Sequence, residues 1–258
     1  WLVQHNGYEQ GSNADYNKEI AMDETRLFRF LNTTQADKMK QLRLENDPLE
    51  KEKFLQRLDQ SLHTNGVIDL LRKGFRYKHL VLDMFYVRPS PGNETAAKLY
   101  AQNIFSVTRQ LQYSRQNPLL ALDVCLFLNG LPIATMELKN QLTKQNAADA
   151  VKQYKDERTP DEVLFGFKRC IVHFAVDDNE VRMCTELKGQ KSWFLPFNKG
   201  YNDGAGNPPN PDGIKTDYLW KEILRKDDFS NIIENYVQII CDEDEETHKK
   251  SYKQIFPR

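Results

Sequence analysis

Asp123, Glu137 and Lys139 are the residues of this chain whose types and spacing best suit chemistry. Asp123 lies in an apolar run over residues 119–128; a second run over 131–138 carries Glu137 and leads into Lys139. Asn129-Gly130 separates the runs, and Asn-Gly between apolar segments signals a β-hairpin. Two carboxylates and a lysine gathered on a hairpin can hold a divalent cation and activate water, which is the equipment of a metal-dependent phosphodiesterase. Carboxylates a few ångströms apart repel, and one would normally stay protonated; a bound cation removes that conflict. Magnesium suits the site because it prefers oxygen ligands and keeps several waters, with manganese an expected substitute. The expected ligands are Asp123, Glu137, the carbonyl of Leu138 and phosphate oxygens, with Lys139 orienting the attacking water or stabilising charge on the phosphorane-like transition state.

Register decides whether these groups meet. If Asn129 and Gly130 alone form the loop and pairing is unbroken, Asp123 faces Met136, and Asp123 and Glu137 point to opposite faces. One extra loop residue or one bulge brings Asp123 opposite Glu137. Pro132 favours such an irregularity because it cannot donate to the ladder, so a three-residue loop or a bulge is expected. The plainer alternative is a solvated strand end with a surface ion pair worth about 0–1 kcal/mol.

The elements around the hairpin follow from pattern. Residues 34–62 read as helical, broken in two by Pro48, and Gly66 stops them. Residues 67–71 form a short apolar element, 80–87 a strand, and 103–113 a strand feeding the hairpin. Asn146 caps a helix over 146–158, with Asp149 in its first turn. Residues 163–167 and 168–176 read as extended, 177–179 as a turn, and 181–187 as a returning strand. Residues 217–225 and 229–240 read as helical, and the acidic run 242–246 as a solvated linker. Residues 200–213 are a Gly-, Pro- and Asn-rich loop; the Gly-Ile-Lys-Thr that follows has the wrong spacing for a phosphate loop. Strands around one crossover helix, with further helices, predict an α/β domain with a mixed central sheet flanked by helices.

Composition narrows the class. At 258 residues the chain can bury a full core. A net charge of −1 argues against a polycationic nucleic-acid coat while leaving room for a local basic groove. No apolar run is long enough for a membrane helix, and no membrane partner or secretory signal is expected. The four cysteines form no C-x-x-C pair and read as reduced core thiols. His173, inside a strand-like run, reads as a core residue rather than a catalyst.

The order of certain stretches resembles the N-terminal domain of the restriction (R) subunit of type I restriction-modification enzymes. They are Gly7-Tyr8, Asp15-Tyr16-Asn17, residues 103–111, Leu122-Asp123, residues 127–132, Glu137-Leu138-Lys139-Asn140, Gln153-Tyr154-Lys155, residues 172–177 and 194–198, Tyr218-Leu219-Trp220 and Phe256-Pro257-Arg258. The resemblance implies a restriction-endonuclease-like nuclease of the PD-(D/E)xK type with Asp123, Glu137 and Lys139 as catalytic residues. It implies double-stranded DNA as substrate, modification (methyltransferase) and specificity subunits as partners, and a prokaryotic cytoplasmic location. Cleavage would follow translocation by an ATP-driven, helicase-like motor, and ATP would be needed by the full-length protein without being bound by these residues. Residues 1–240 would then be the endonuclease domain with an N-terminal elaboration, and 241–258 an acidic linker and the start of the motor. The ends read as cuts in a longer polypeptide.

The chain departs from the family pattern in two places. A supporting glutamate expected on the first helix falls before Trp1, so weak or no activity of these residues alone is expected. In place of a Gln-x-x-x-Tyr motif, Gln153 and Tyr154 are adjacent. Gln153 is expected near the DNA or scissile phosphate, with Tyr154 beside it; a polar helix face is the alternative. Arg109 and Gln110 could reach phosphate from the preceding strand or form structural pairs. Lys144, Lys152, Lys155 and Arg158 could supply phosphate contacts or be the solvated side of the helix. Nothing resembles a base-reading motif, so target recognition is expected elsewhere. The rival readings are a non-catalytic DNA-binding or subunit-docking module and a stand-alone nuclease of the same superfamily.

Overall fold

In the computed structural model, which describes residues 1–258 apart from 141, 143, 245 and 246, seven strands form one mixed sheet in sequential order. They are β1 (Glu9–Gln10), β2 (Phe105–Gln112), β3 (Ala121–Leu128), β4 (Leu131–Leu138), β5 (Val172–Val176), β6 (Val181–Cys184) and β7 (Leu195–Pro196). The pairs β1/β2 and β4/β5 are parallel and the rest are antiparallel. The expected α/β architecture, a mixed central sheet flanked by helices, is therefore the observed one.

Alternation along β3 splits the core in two. Leu126 and Leu128 join a large apolar cluster with helices α1 (Glu24–Thr34), α2 (Ala36–Leu42), α3 (Pro48–Asn65) and α4 (Val67–Lys73). Cys125 and Phe127 join a second cluster with α5 (Ala147–Glu157), which supplies Ala150 and Tyr154. α5 is the crossover between the parallel strands β4 and β5. Its start is fixed by a capping box in which the Asn146 side chain accepts from the first-turn backbone and Asp149 answers to the Asn146 N–H. Asp177, just past β5, accepts from the Ala147 N–H at 2.8 Å and ties the helix to the sheet.

Pro48 breaks the first helical stretch in two as expected, by opening α3 at its first turn. Other expectations change. Glu9–Gln10 pairs in parallel with β2 although it is too short to carry a pattern. Residues 163–165 wind into a 3₁₀ turn, and the expected strand over 80–87 is a three-residue strand in a separate small hairpin. The helix expected over 229–240 ends early: Gln238–Glu243 pairs with Lys250–Ile255. There the β-branched Ile239 and Ile240 face Gln254 and Lys253 across a ladder, which overrides helical propensity. Asp242 and Glu243 of the acidic run lie in this hairpin, while Glu245 and Glu246 lie outside the described residues.

Candidate active site

The hairpin contains the expected irregularity. Asn129 (φ 50°) and Gly130 (φ 83°) form a two-residue turn, both with the positive φ that such turns require. Leu128 pairs with Leu131 and Phe127 with Pro132, but beyond them Leu126 pairs with Ala134, Cys125 with Thr135 and Val124 with Met136. Ile133 is the extra residue of a β-bulge beside Pro132. Continued one step, the shifted register sets Asp123 opposite Glu137, both on the face covered by α5. Asp123 Oδ2 accepts from the Leu138 N–H at 2.8 Å, and Oδ1 accepts from Gln110 Nε2 at 2.9 Å. Gln110 has a positive φ of 50°. It is held there by Asn13, whose side chain donates to the Gln110 carbonyl at 3.0 Å and accepts from the Gln112 N–H at 2.8 Å.

Glu137 is fully buried, at 0 % exposure. Its Oε1 accepts from Arg158 Nε at 2.6 Å, while no donor among the described residues reaches Oε2. Burial pushes the Glu137 carboxyl up to about 8; Arg158 opposes the shift, and Asp123 adds to it through its charge and through the hydrogen bond that a protonated Glu137 donates to it. Arg158 itself is buried, donating from Nη1 to the Tyr113 hydroxyl at 2.9 Å and from Nη2 to the Ala121 carbonyl at 3.0 Å. Lys139, two residues past Glu137 and on the same side, is half-buried and donates to Gln153 Oε1 of α5 at 2.6 Å. Gln153 in turn donates to Glu157 at 3.3 Å.

The structure thus sets Asp123 opposite Glu137 and joins Lys139, two residues on, to Gln153 of α5. Tyr154 is a correction: it is 0 % exposed, packs under the sheet, and its hydroxyl meets Thr135 Oγ1 at 2.8 Å, so no contact with DNA is open to it. Lys152 is exposed and pairs with Asp156 on its own helix, and Arg109 is exposed on β2. Arg158, grouped by sequence with the phosphate-contacting lysines, turns inward instead. The signal was its spacing: with Ala147, Ala150 and Tyr154 it continues the buried stripe of α5. His173 is a core residue, its Nδ1 at 2.7 Å from Thr135 Oγ1 and its imidazole held neutral by burial, which lowers it to about 3. Cys125, Cys170 and Cys184 are buried free thiols, and Cys241 is free and exposed.

The donor set fits a hard divalent cation. Among the described residues no group of three or more His, Cys, Asp or Glu side chains gathers as a metal cage, and Asp123 with Glu137 supplies two carboxylates. Magnesium is ordinarily bound by one or two carboxylates together with water and substrate phosphate. Glu137 Oε2, which no donor reaches, is the atom such an ion would satisfy. The Leu138 N–H points to Asp123, and its carbonyl shares that strand edge.

Residues 2–192 match the family model of the type I restriction enzyme R protein N terminus. The chain belongs to that family. No curated protein matches it. In this R-protein N terminus, the β2–β3–β4 meander, the α5 crossover and parallel β5 are consistent with a restriction-endonuclease-like core. Among the described residues, no helix of the R-protein N terminus is long and apolar enough to cross a membrane.

Proposed function

We propose that this R-protein N terminus is a magnesium-dependent DNA endonuclease domain of a type I restriction enzyme, a PD-(D/E)xK nuclease that hydrolyses phosphodiesters. The observation that carries the reading is the bulge at Ile133, which sets Asp123 opposite a buried Glu137 whose Oε2 no donor reaches. Asp123, Glu137 and the Leu138 carbonyl would hold the cation. When bound, magnesium, or manganese in its place, supplies charge neutralisation at phosphate and a more acidic water. Asp123 is held by Gln110 and the Leu138 N–H, so it presents its carboxylate without reorganisation. Lys139, steered by Gln153, directs its ammonium toward charge that develops on the phosphoryl oxygens. Exposed Arg109 and Lys152 contribute phosphate contacts along double-stranded DNA.

Family membership supports assembly with modification and specificity subunits, an ATP-driven motor outside these residues, and a prokaryotic cytoplasmic setting. The test uses the full-length R protein reconstituted with those subunits, following plasmid cleavage and ATP hydrolysis in magnesium for wild type and Glu137→Ala. The expected result is cleavage lost with ATP hydrolysis kept. Cleavage retained by Glu137→Ala would overturn the nuclease reading in favour of a docking or DNA-holding module.

A further inference from the structure

We infer that Arg158 is a positioning residue of the nuclease site, clamping Glu137 through Oε1 so that Oε2 is presented toward Asp123 for the cation. The inference rests on the nuclease reading and adds the group that fixes its ligand geometry.

Three contacts define the clamp, beside a longer one from Nη1 to Glu157 Oε2 at 3.4 Å. Arg158 Nε donates to Glu137 Oε1 of β4 at 2.6 Å. Nη2 donates to the carbonyl of Ala121, two residues before Asp123 on β3, at 3.0 Å. Nη1 donates to the hydroxyl of Tyr113, just past β2, at 2.9 Å. One guanidinium at the end of α5 therefore grips the strands that carry both carboxylates, and the separation of the two ligands is set by a planar fork rather than by two free side chains. Arg158 retains almost no exposure (1 % of its side chain) and Glu137 none, so the clamp is rigid and dry. A lysine could supply the charge but not the three diverging donors.

A purely stabilising ion pair explains the arrangement less well. Burying both charges costs about as much as their attraction returns, and the arrangement also sets the Glu137 carboxyl against a second carboxylate, Asp123, a conflict that a bound cation relieves. Ligating carboxylates are ordinarily held by such outer partners, whose removal weakens metal binding roughly 10–100-fold.

The test uses the full-length R protein and Mn²⁺ as the probe, with bound ion measured by electron paramagnetic resonance. The site is defined as the binding lost in Asp123→Asn. Arg158→Gln and Arg158→Lys are both expected to bind Mn²⁺ at that site roughly 10–100-fold more weakly, with cleavage partly recovered at high Mn²⁺. Wild-type Mn²⁺ affinity in Arg158→Lys would overturn the clamp while leaving the nuclease reading intact. If Asp123→Asn and Glu137→Gln change neither Mn²⁺ binding nor cleavage, it is the nuclease reading that fails. Should the Arg158 variants not fold by circular dichroism, Tyr113→Phe decides, since it withdraws one anchor and keeps the charge. A several-fold loss of Mn²⁺ affinity supports the clamp, and wild-type affinity overturns it.

Discussion

Glu137 gives the stability of this domain a pH dependence opposite to that of an ordinary ion-paired carboxylate. Its folded value, about 8, lies above its usual 4.5. Between those values the folded state keeps a proton that the unfolded state has released, so stability falls as pH rises. The contribution is complete below about 4.5 and lost above about 8. Urea unfolding from pH 5 to 8.5 without metal should show this decline in the wild type and a flatter profile in Glu137→Gln; equal slopes would contradict it. Under the proposed function magnesium would compete with that proton, and its stabilising effect should then grow with pH. Lys139→Ala should slow cleavage by about 10²–10³-fold, as for loss of one preorganised donor. It should change unfolding free energy by about 1 kcal/mol or less, since a single hydrogen bond to Gln153 is removed; a large stability loss would instead assign Lys139 a structural role. The hairpin that carries Asp123 and Glu137 was legible because the Asn-Gly between its apolar runs is a local fact. Arg158 and Tyr154 were misread because their places depend on which face of α5 meets the sheet, which only the packed structure fixes.

At the scale of elements, the turn that closes the hairpin is locked against the start of α1. The Asp23 N–H donates to the Gly130 carbonyl at 2.9 Å. A Cβ on Gly130 would stand 2.4 Å from the Asp23 carbonyl oxygen and 2.6 Å from Leu27 Cβ, at a φ of 83°. Gly130→Ala should therefore cost on the order of 3 kcal/mol and reduce cleavage with it. Denaturant unfolding is the check, and a change under about 0.5 kcal/mol would mean that the turn is not a fixed point. The bulge was legible only as an alternative: Pro132 signalled irregularity, but whether it fell in the loop or the ladder depended on the packing of Gly130 against α1. α5 was legible almost to the residue because its cap is written in Asn146 and Asp149. The strand over residues 238–240 was not, because a partner twelve or more residues onward decides it.

For the molecule as a whole, the last residues belong to the core. Gln254 donates to the carbonyls of Cys170 and Ile171 at 2.8 and 2.7 Å. Phe256 packs with Phe174, Phe197 and Phe229. Phe256→Ala should cost about 3–5 kcal/mol within one cooperative transition; a separate early transition, read by tryptophan fluorescence and circular dichroism together, would show that this end folds by itself. The other end is tied in over a much longer span, with the Tyr8 hydroxyl donating to the Leu224 carbonyl at 2.7 Å. These ties bear on the order of events during synthesis. The β2–β3–β4 meander needs only neighbouring chain, whereas Tyr8 and Phe174 wait for partners made far later, and such non-local closures are slow. The site hairpin and its Arg158 clamp can therefore be assembled on the nascent chain while the closures through Tyr8 and Phe174 remain open. The growing polypeptide would thus carry its two carboxylates through much of translation before the surrounding core could shut.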